Sequence, residues 1–344
     1  MSNKDIISSW IKNFINENSH ARLMCEGIKD KFYGTIPDIE EIEDHEQLIE
    51  LPISEAASIG MAIGASQFGI KPIICFQRIE FGILALDQLI TNGSKIGYLT
   101  AGEYPCSVLL RMVIGRGWGQ GPLHSQSFEN IWNSIPGLKV FMPASAMDYL
   151  ECFEYFEKNS GFVISLEHRW THLVKQETFR PKKLSNQRKS LVTIYTYSFN
   201  SAIAAKVKNN LNKYNVDIDC IHENSFLANY TELRESINRT KNLLTIDVGS
   251  ARLGLGSEII AKLMEDSLVD NDFICLRLGT PWEAAPAQPE LTREFFPDEL
   301  QVYNALKNLL PNEYAQTLDL VISEVQSTCT SLCDVPDQSF TGPF

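Results

Sequence analysis

Apolar positions along this chain follow two spacings, and the two alternate in a regular order. Between residues 5 and 18, Ile6, Ile7, Trp10, Ile11, Phe14 and Ile15 recur at helical intervals, and Arg22 to Cys25 predicts a short strand after them. From Pro52 onward the pattern predicts a helix beginning at Ser54, a strand at 73–76, a helix over 83–96 and a strand at 107–113. A glycine-rich loop follows, then a strand at 138–142, a helix over 146–158 and a strand at 162–166. Short apolar strands alternating with helices predict a mostly parallel sheet covered by helices on both faces.

Residues 175–189, KQETFRPKKLSNQRK, lose this periodicity and read as a polar, proline-interrupted linker. A second alternating series follows: strand 191–197, helix 202–211, strand 216–221, helix 230–237, strand 242–247, helix 255–264, strand 273–278 and a helix near 300–310. The expected organisation is therefore α/β with two domains, 1–174 and 190–310, and an extension over 311–344 containing one helical segment. Residues 38–50, DIEEIEDHEQLIE, read as solvated acidic surface.

With 344 residues, both domains are long enough to bury a core. A formal charge of −13 without a Lys/Arg cluster argues against nucleic acid and anionic membrane as partners. No apolar run approaches bilayer length, and the N-terminus lacks the features of an export signal, so the expected location is the cytoplasm. The eight cysteines sit mostly within apolar runs, as reduced core thiols do, and Cys329 with Cys333 has no second Cys/His pair to complete a zinc site.

Two segments carry candidate chemistry. In LPISEAASIGMAIGASQFG, Ser54 is the expected N-cap and Glu55 falls in the first turn, where a carboxylate suits the helix dipole whatever else it does. The small residues after Glu55 let the helix approach a backbone or a flat ligand closely. In RMVIGRGWGQGPLHSQ, glycines at 115, 117, 119 and 121 permit positive φ, and His124 closes the loop beside Ser125 and Gln126. The spacing matches neither a dinucleotide fingerprint nor a P-loop. Ser125 lacks a nucleophile elbow, and His168 with His172 lacks a metalloprotease glutamate.

Together PISEAASIGMAIGASQFGIKPI, FGILALDQLITNGSK, GPLHSQSFENIW, PGLKVFMPASAMD and LLTIDVGSARLGLGSEI resemble the β subunit of the thiamine-diphosphate-dependent 2-oxo acid dehydrogenases, over most of residues 50–280. The resemblance implies a transketolase-like pyrimidine-binding domain followed by a transketolase C-terminal-type domain. It implies that Glu55 hydrogen-bonds the aminopyrimidine ring of thiamine diphosphate and exchanges a proton with it, and that His124 assists the substrate or acyl transfer to a lipoyl group. Glu26 falls near a family acid close to the cofactor. Ile79, with Phe81 two residues on, stands where family members place an aromatic residue against the ring.

The G-D-G and Asn-Asn signature that holds magnesium and the diphosphate is absent from the sequence. In the family it lies on an α-type partner, which implies an α2β2-like assembly, inactive without the partner, acting on a 2-oxo acid and in some complexes docking on a lipoyl acyltransferase. Lys158-Asn159-Ser160-Gly161 replaces the turn associated with a structural potassium ion, and His222-Glu223-Asn224-Ser225 replaces an arginine-bearing turn, which mark a divergent member. Two other readings are the C-terminal half of a split transketolase, whose histidine usually lies in Thr-His-Gln where this chain has Leu123-His124-Ser125-Gln126, and a non-catalytic scaffold.

Overall fold

The computed structural model describes residues 2–29, 35–175, 190–328 and 335. Contacts divide these residues into two units, one of 2–115 with 126–175 and the other of 116–125 with the chain from 190. Apart from Lys175, the expected linker lies outside the described residues, as do Cys329, Cys333 and nearly all of the tail after Thr328.

The first unit is built on a parallel sheet of β1 (Ala21–Cys25), β2 (Leu48–Glu50), β3 (Lys71–Phe76), β4 (Ser107–Ile114), β5 (Leu138–Phe141) and β6 (Gly161–His168), in the order β2-β1-β3-β4-β6-β5. β3, β4 and β6 read as near-continuous apolar runs because helices cover both of their faces. Helix Asn3–Glu17 starts with a capping box in which the Ser2 hydroxyl accepts from Asp5 N–H and the Asp5 carboxylate accepts from Ser2 N–H. It packs against helix Ala146–Lys158, whose own box pairs Ser145 with Asp148, and Trp10 stacks on Phe153 at 4.4 Å.

Three local expectations change. The acidic 38–50 stretch ends in strand β2, which pairs with β1, and buried Gln47 donates to the carbonyls of Ile15, Asn18 and Ala21. A three-residue strand is too short to show a period of two. The helix expected over 83–96 is broken into Ile79–Ile83, Leu86–Gln88, a π-helical turn Leu89–Gly93 and Ile96–Leu99. Ser54 occupies the N-cap position of helix Glu55–Gln67 without a side-chain cap bond; its carbonyl accepts from the backbone N–H and the hydroxyl of Ser58.

The second unit contains β7 (Thr193–Tyr197), β8 (Asp219–Glu223), β9 (Asn242–Ser250) and β10 (Ile274–Thr280), all parallel, in the order β10-β9-β7-β8. Ile194, Leu244 and Ile246 join Val207, Leu211, Val302 and Leu306 in an apolar core. On the other face of the same strands, several polar residues are hydrogen-bonded. Thr193 meets Ser236 and Thr240 at 2.7 Å each, Asp219 accepts from Ser190, Ser236 and Arg239, and Tyr197 donates to Asp247 at 2.8 Å. Asp247 also accepts from Gly256 N–H, anchoring the start of helix Leu255–Glu265. Helix Pro289–Phe295, one element the periodicity does not predict, is only seven residues long and opens with proline at its first turn.

Arg111 on β4 and Glu167 on β6 form a fully buried bidentate pair, with N···O distances of 2.7 Å on both arms. Arg111 also donates to Thr35 Oγ1, and His172 Nε2 lies 2.8 Å from Glu167. Burial alone would raise the Glu167 pKa, but Arg111 and His172 outweigh it and hold the carboxyl at about 2. Burial pushes His172 down, against the opposing pull of Glu167. Glu167→Gln leaves the guanidinium uncompensated and is expected to cost about 3–5 kcal/mol in urea unfolding. Because the folded pKa lies below the ordinary 4.5, the stability contributed by Glu167 is complete above that pH and is lost as pH falls towards 2. The variant's stability should therefore vary less with pH across that window than that of the parent chain.

Candidate functional site at the carboxyl edge of the first sheet

In the first unit's strand order β1 and β3 are neighbours, while the chain between them passes through β2 on the other side of β1. The crevice outside the carboxyl ends of β1 and β3 is therefore a topological switch point, where open α/β sheets bind ligands. Glu26 follows the last residue of β1, Glu55 opens the helix after β2, and Ile79, Glu80 and Phe81 follow β3. Three separate segments of sequence thus deliver their candidates to one edge.

Glu55 is 6% exposed in the first turn of its helix, and Glu26 is partly buried. Burial first, then the charge of Glu55 and then that of Glu50, raise the Glu26 pKa. Glu50 is held by the backbone N–H groups of Gly27 and Ile28, which donate to its two carboxylate oxygens. Three acids therefore share one field, one of them anchored by backbone donors and one biased towards holding its proton. The sequence singles out Glu55 and Glu26 but not Glu50, which sits inside the stretch read as acidic surface.

Ile79 is fully enclosed by the chain's own atoms, whereas Phe81 is partly exposed. Glu80, also unrecognised from the sequence, accepts from Gln126 N–H at 3.0 Å and ties the segment after β3 to the exit of the glycine loop. The loop base is closed by Gly115 N–H donating to Gln126 O. Gly115 has φ +85, and a Cβ there would lie 2.1 Å from His168 Nε2. The imidazole occupies the space a side chain would need, so glycine is required at this position. His168 Nδ1 accepts from Trp170 N–H and His172 contacts Glu167, so the two histidines serve this fold. Among the described residues, no three His, Cys, Asp or Glu side chains converge as a metal-ligand set.

The loop itself, 116–125, belongs to the second unit. Gly117, Gly119 and Gly121 take positive φ, as does Trp118, and the turns they form lie against Ala287, which would sit 3.2 Å from a Cβ at either Gly119 or Gly121. Arg116 donates to Thr292 O at 3.0 Å and lies over the Phe296 ring at 4.9 Å. His124, partly buried, donates its N–H to Gly121 O, and Ser125 beside it is buried. Glu26, Glu55, Ile79 and Phe81 are thus carried by the first unit and His124 by the second.

Comparison with known proteins gives two domain matches in tandem: the transketolase pyrimidine-binding domain over residues 1–169 and the transketolase C-terminal domain over 183–302. Among curated relatives, the pyruvate dehydrogenase E1 component β subunit of Saccharomyces cerevisiae is 29% identical over 280 residues, covering 78% of this chain and 76% of the relative. The corresponding subunit of Pisum sativum is 26% identical over 89% of both chains, and that of Rickettsia bellii is 27% identical over 76% of this chain and 83% of its own. Among solved structures, a split-gene transketolase described as an inactive β4 tetramer superposes with a TM-score of 0.70 at 17% identity, covering 90% of this chain and 98% of that one.

Gly115→Ala is expected to destabilise the chain by about 1–2 kcal/mol from its left-handed backbone and a further ~1–3 kcal/mol from overpacking against His168. Chemical denaturation of the single variants and the double variant with His168→Ala tests the contact. The Gly115→Ala penalty should shrink when the imidazole is absent.

Proposed function

The chain belongs, as a divergent member, to the β subunits of the thiamine-diphosphate-dependent 2-oxo acid dehydrogenases, and from that premise we propose that it is the β-type half of an enzyme that decarboxylates a 2-oxo acid, its active site completed by an α-type chain. The observation that carries this reading is the buried Glu55 at the switch point, with Glu26 close enough to respond to its charge. That pair suits a ligand ring that must exchange a proton at a defined nitrogen.

The residues fit the pyrimidine half of the cofactor. Glu55 would hold the ring nitrogen, the small residues of helix Glu55–Gln67 leave room for a flat group, and partly exposed Phe81 offers an aromatic surface beside enclosed Ile79. When bound, thiamine diphosphate supplies the reactive carbon and the electron sink for decarboxylation. Glu55, screened from water, would be the group placed to exchange a proton with the ring, while burial and the neighbouring acids bias Glu26 towards its protonated form. His124, at the end of a loop whose path the glycines define, would act on the substrate or on the acyl acceptor. The diphosphate and its magnesium are assigned to the α-type chain, in an α2β2-like assembly that the isolated β-type chain cannot replace.

Purification of this chain from its own cells, followed by native mass spectrometry, should recover a second chain together with thiamine diphosphate and magnesium. In the reconstituted assembly, Glu55→Gln should lower 2-oxo acid turnover by about 10²–10⁴-fold while the assembly mass stays the same. Unchanged turnover would overturn the assignment of Glu55, and recovery of a cofactor-free homo-oligomer would favour a scaffold.

A further inference from the structure

β1 and β3 run side by side with Cys25 directly opposite Cys75. Residues opposite one another on neighbouring strands project to the same face, and both thiols lie in the same buried cluster. Arg111 Nη1 donates to Cys75 Sγ at 3.5 Å. Adjacent strands lie about 4.8 Å apart, within the Cα separations a disulfide spans but at their short end. Drawing the two sulfurs together from there would need a small local shift of the strands, so the link would be strained and correspondingly easy to reduce.

We propose that Cys25 and Cys75 form a reversible redox pair, closing to a disulfide when hydrogen peroxide reaches Cys75. The guanidinium favours the attacking sulfur. Burial alone would push the Cys75 thiol up, but the Cys25 thiol and Arg111 bring it below its ordinary value, whereas burial raises Cys106 to about 11 and Cys220 to about 12. The Cys75 thiolate attacks one peroxide oxygen, the O–O bond breaks, and the departing hydroxide takes up a proton as water. The Cys25 sulfur then attacks the resulting sulfenic acid, the S–O bond breaks, and the Cys25 proton leaves with the second water. Two thiols lose two electrons and two protons, and the peroxide becomes two waters.

The closed pair would join the carboxyl end of β1 to that of β3 and turn the acceptor of Arg111 into a neutral bridge, one residue before Glu26. This chemistry needs no bound cofactor, so it stands or falls separately from the proposed decarboxylation. The test is to treat the reduced full-length chain with graded hydrogen peroxide, alkylate the remaining thiols under denaturing conditions and digest without reductant for mass spectrometry. The expected product is a Cys25–Cys75 cross-linked peptide, lighter by two hydrogens, formed while Cys106, Cys152 and Cys220 remain alkylatable and reopened by dithiothreitol. Cys25→Ser should abolish the link and leave Cys75 as sulfenic or sulfinic acid. Recovery of Cys25 and Cys75 as alkylated thiols while another cysteine is oxidised would overturn the proposal, as would conversion of parent Cys75 to sulfinic acid without a link.

Discussion

The first unit is organised around one buried charge pair, Arg111 with Glu167. Removing two ions from water is costly, and only excellent geometry together with further hydrogen bonds offsets that cost. Here the two bidentate arms are supplemented by Thr35 and His172, so neither ion relies on its partner alone. The pair fixes β4 against β6, the central strands from which the glycine loop and the His168 turn depart. A pair with these demands accepts one arrangement of its neighbours, and that arrangement places His168 over Gly115.

From this constraint the carboxyl edge follows. Glu26, Glu50 and Glu55 come from different connections but face a common region because β2 and β3 are parallel neighbours of β1 on its two sides. Their proximity is met in two ways: the backbone N–H groups of Gly27 and Ile28 hold Glu50, and Glu26 shifts towards its protonated form. The remaining acid, Glu55, sits at the positive end of its helix, where negative charge is favoured. A row of acids is thereby differentiated: one is held by backbone donors, one is biased towards its protonated form, and one opens a helix.

Much of this was legible in the sequence because long, strongly periodic segments report their own burial. Helix Ala146–Lys158 has the expected limits, and β3, β4 and β6 contain the predicted apolar runs within slightly longer strands. β2 was not legible, since three residues cannot display alternation, nor was the break within 79–99, where packing overrides local helical preference. Glu55 and Glu26 were singled out through motif context. Glu50 and Glu80 were hidden because their roles are to hold backbone N–H groups, a task that any acidic position can serve and that no spacing announces.

One face of the second unit's sheet carries the apolar cluster and the other sets Thr193, Tyr197, Asp219 and Asp247 in hydrogen bonds, and this asymmetry works as a ruler. A strand displaced by a single residue would exchange its two faces. Thr193 and Tyr197 would then enter the cluster now filled by Ile194, Leu244 and Ile246, while those apolar side chains would be set against Ser236, Asp219 and Asp247. Each stranded polar group would cost about 1–3 kcal/mol. An all-aliphatic sheet could slide into neighbouring registers with little penalty; this one can close in a single alignment, so fidelity of strand pairing is written into side chains that perform no chemistry.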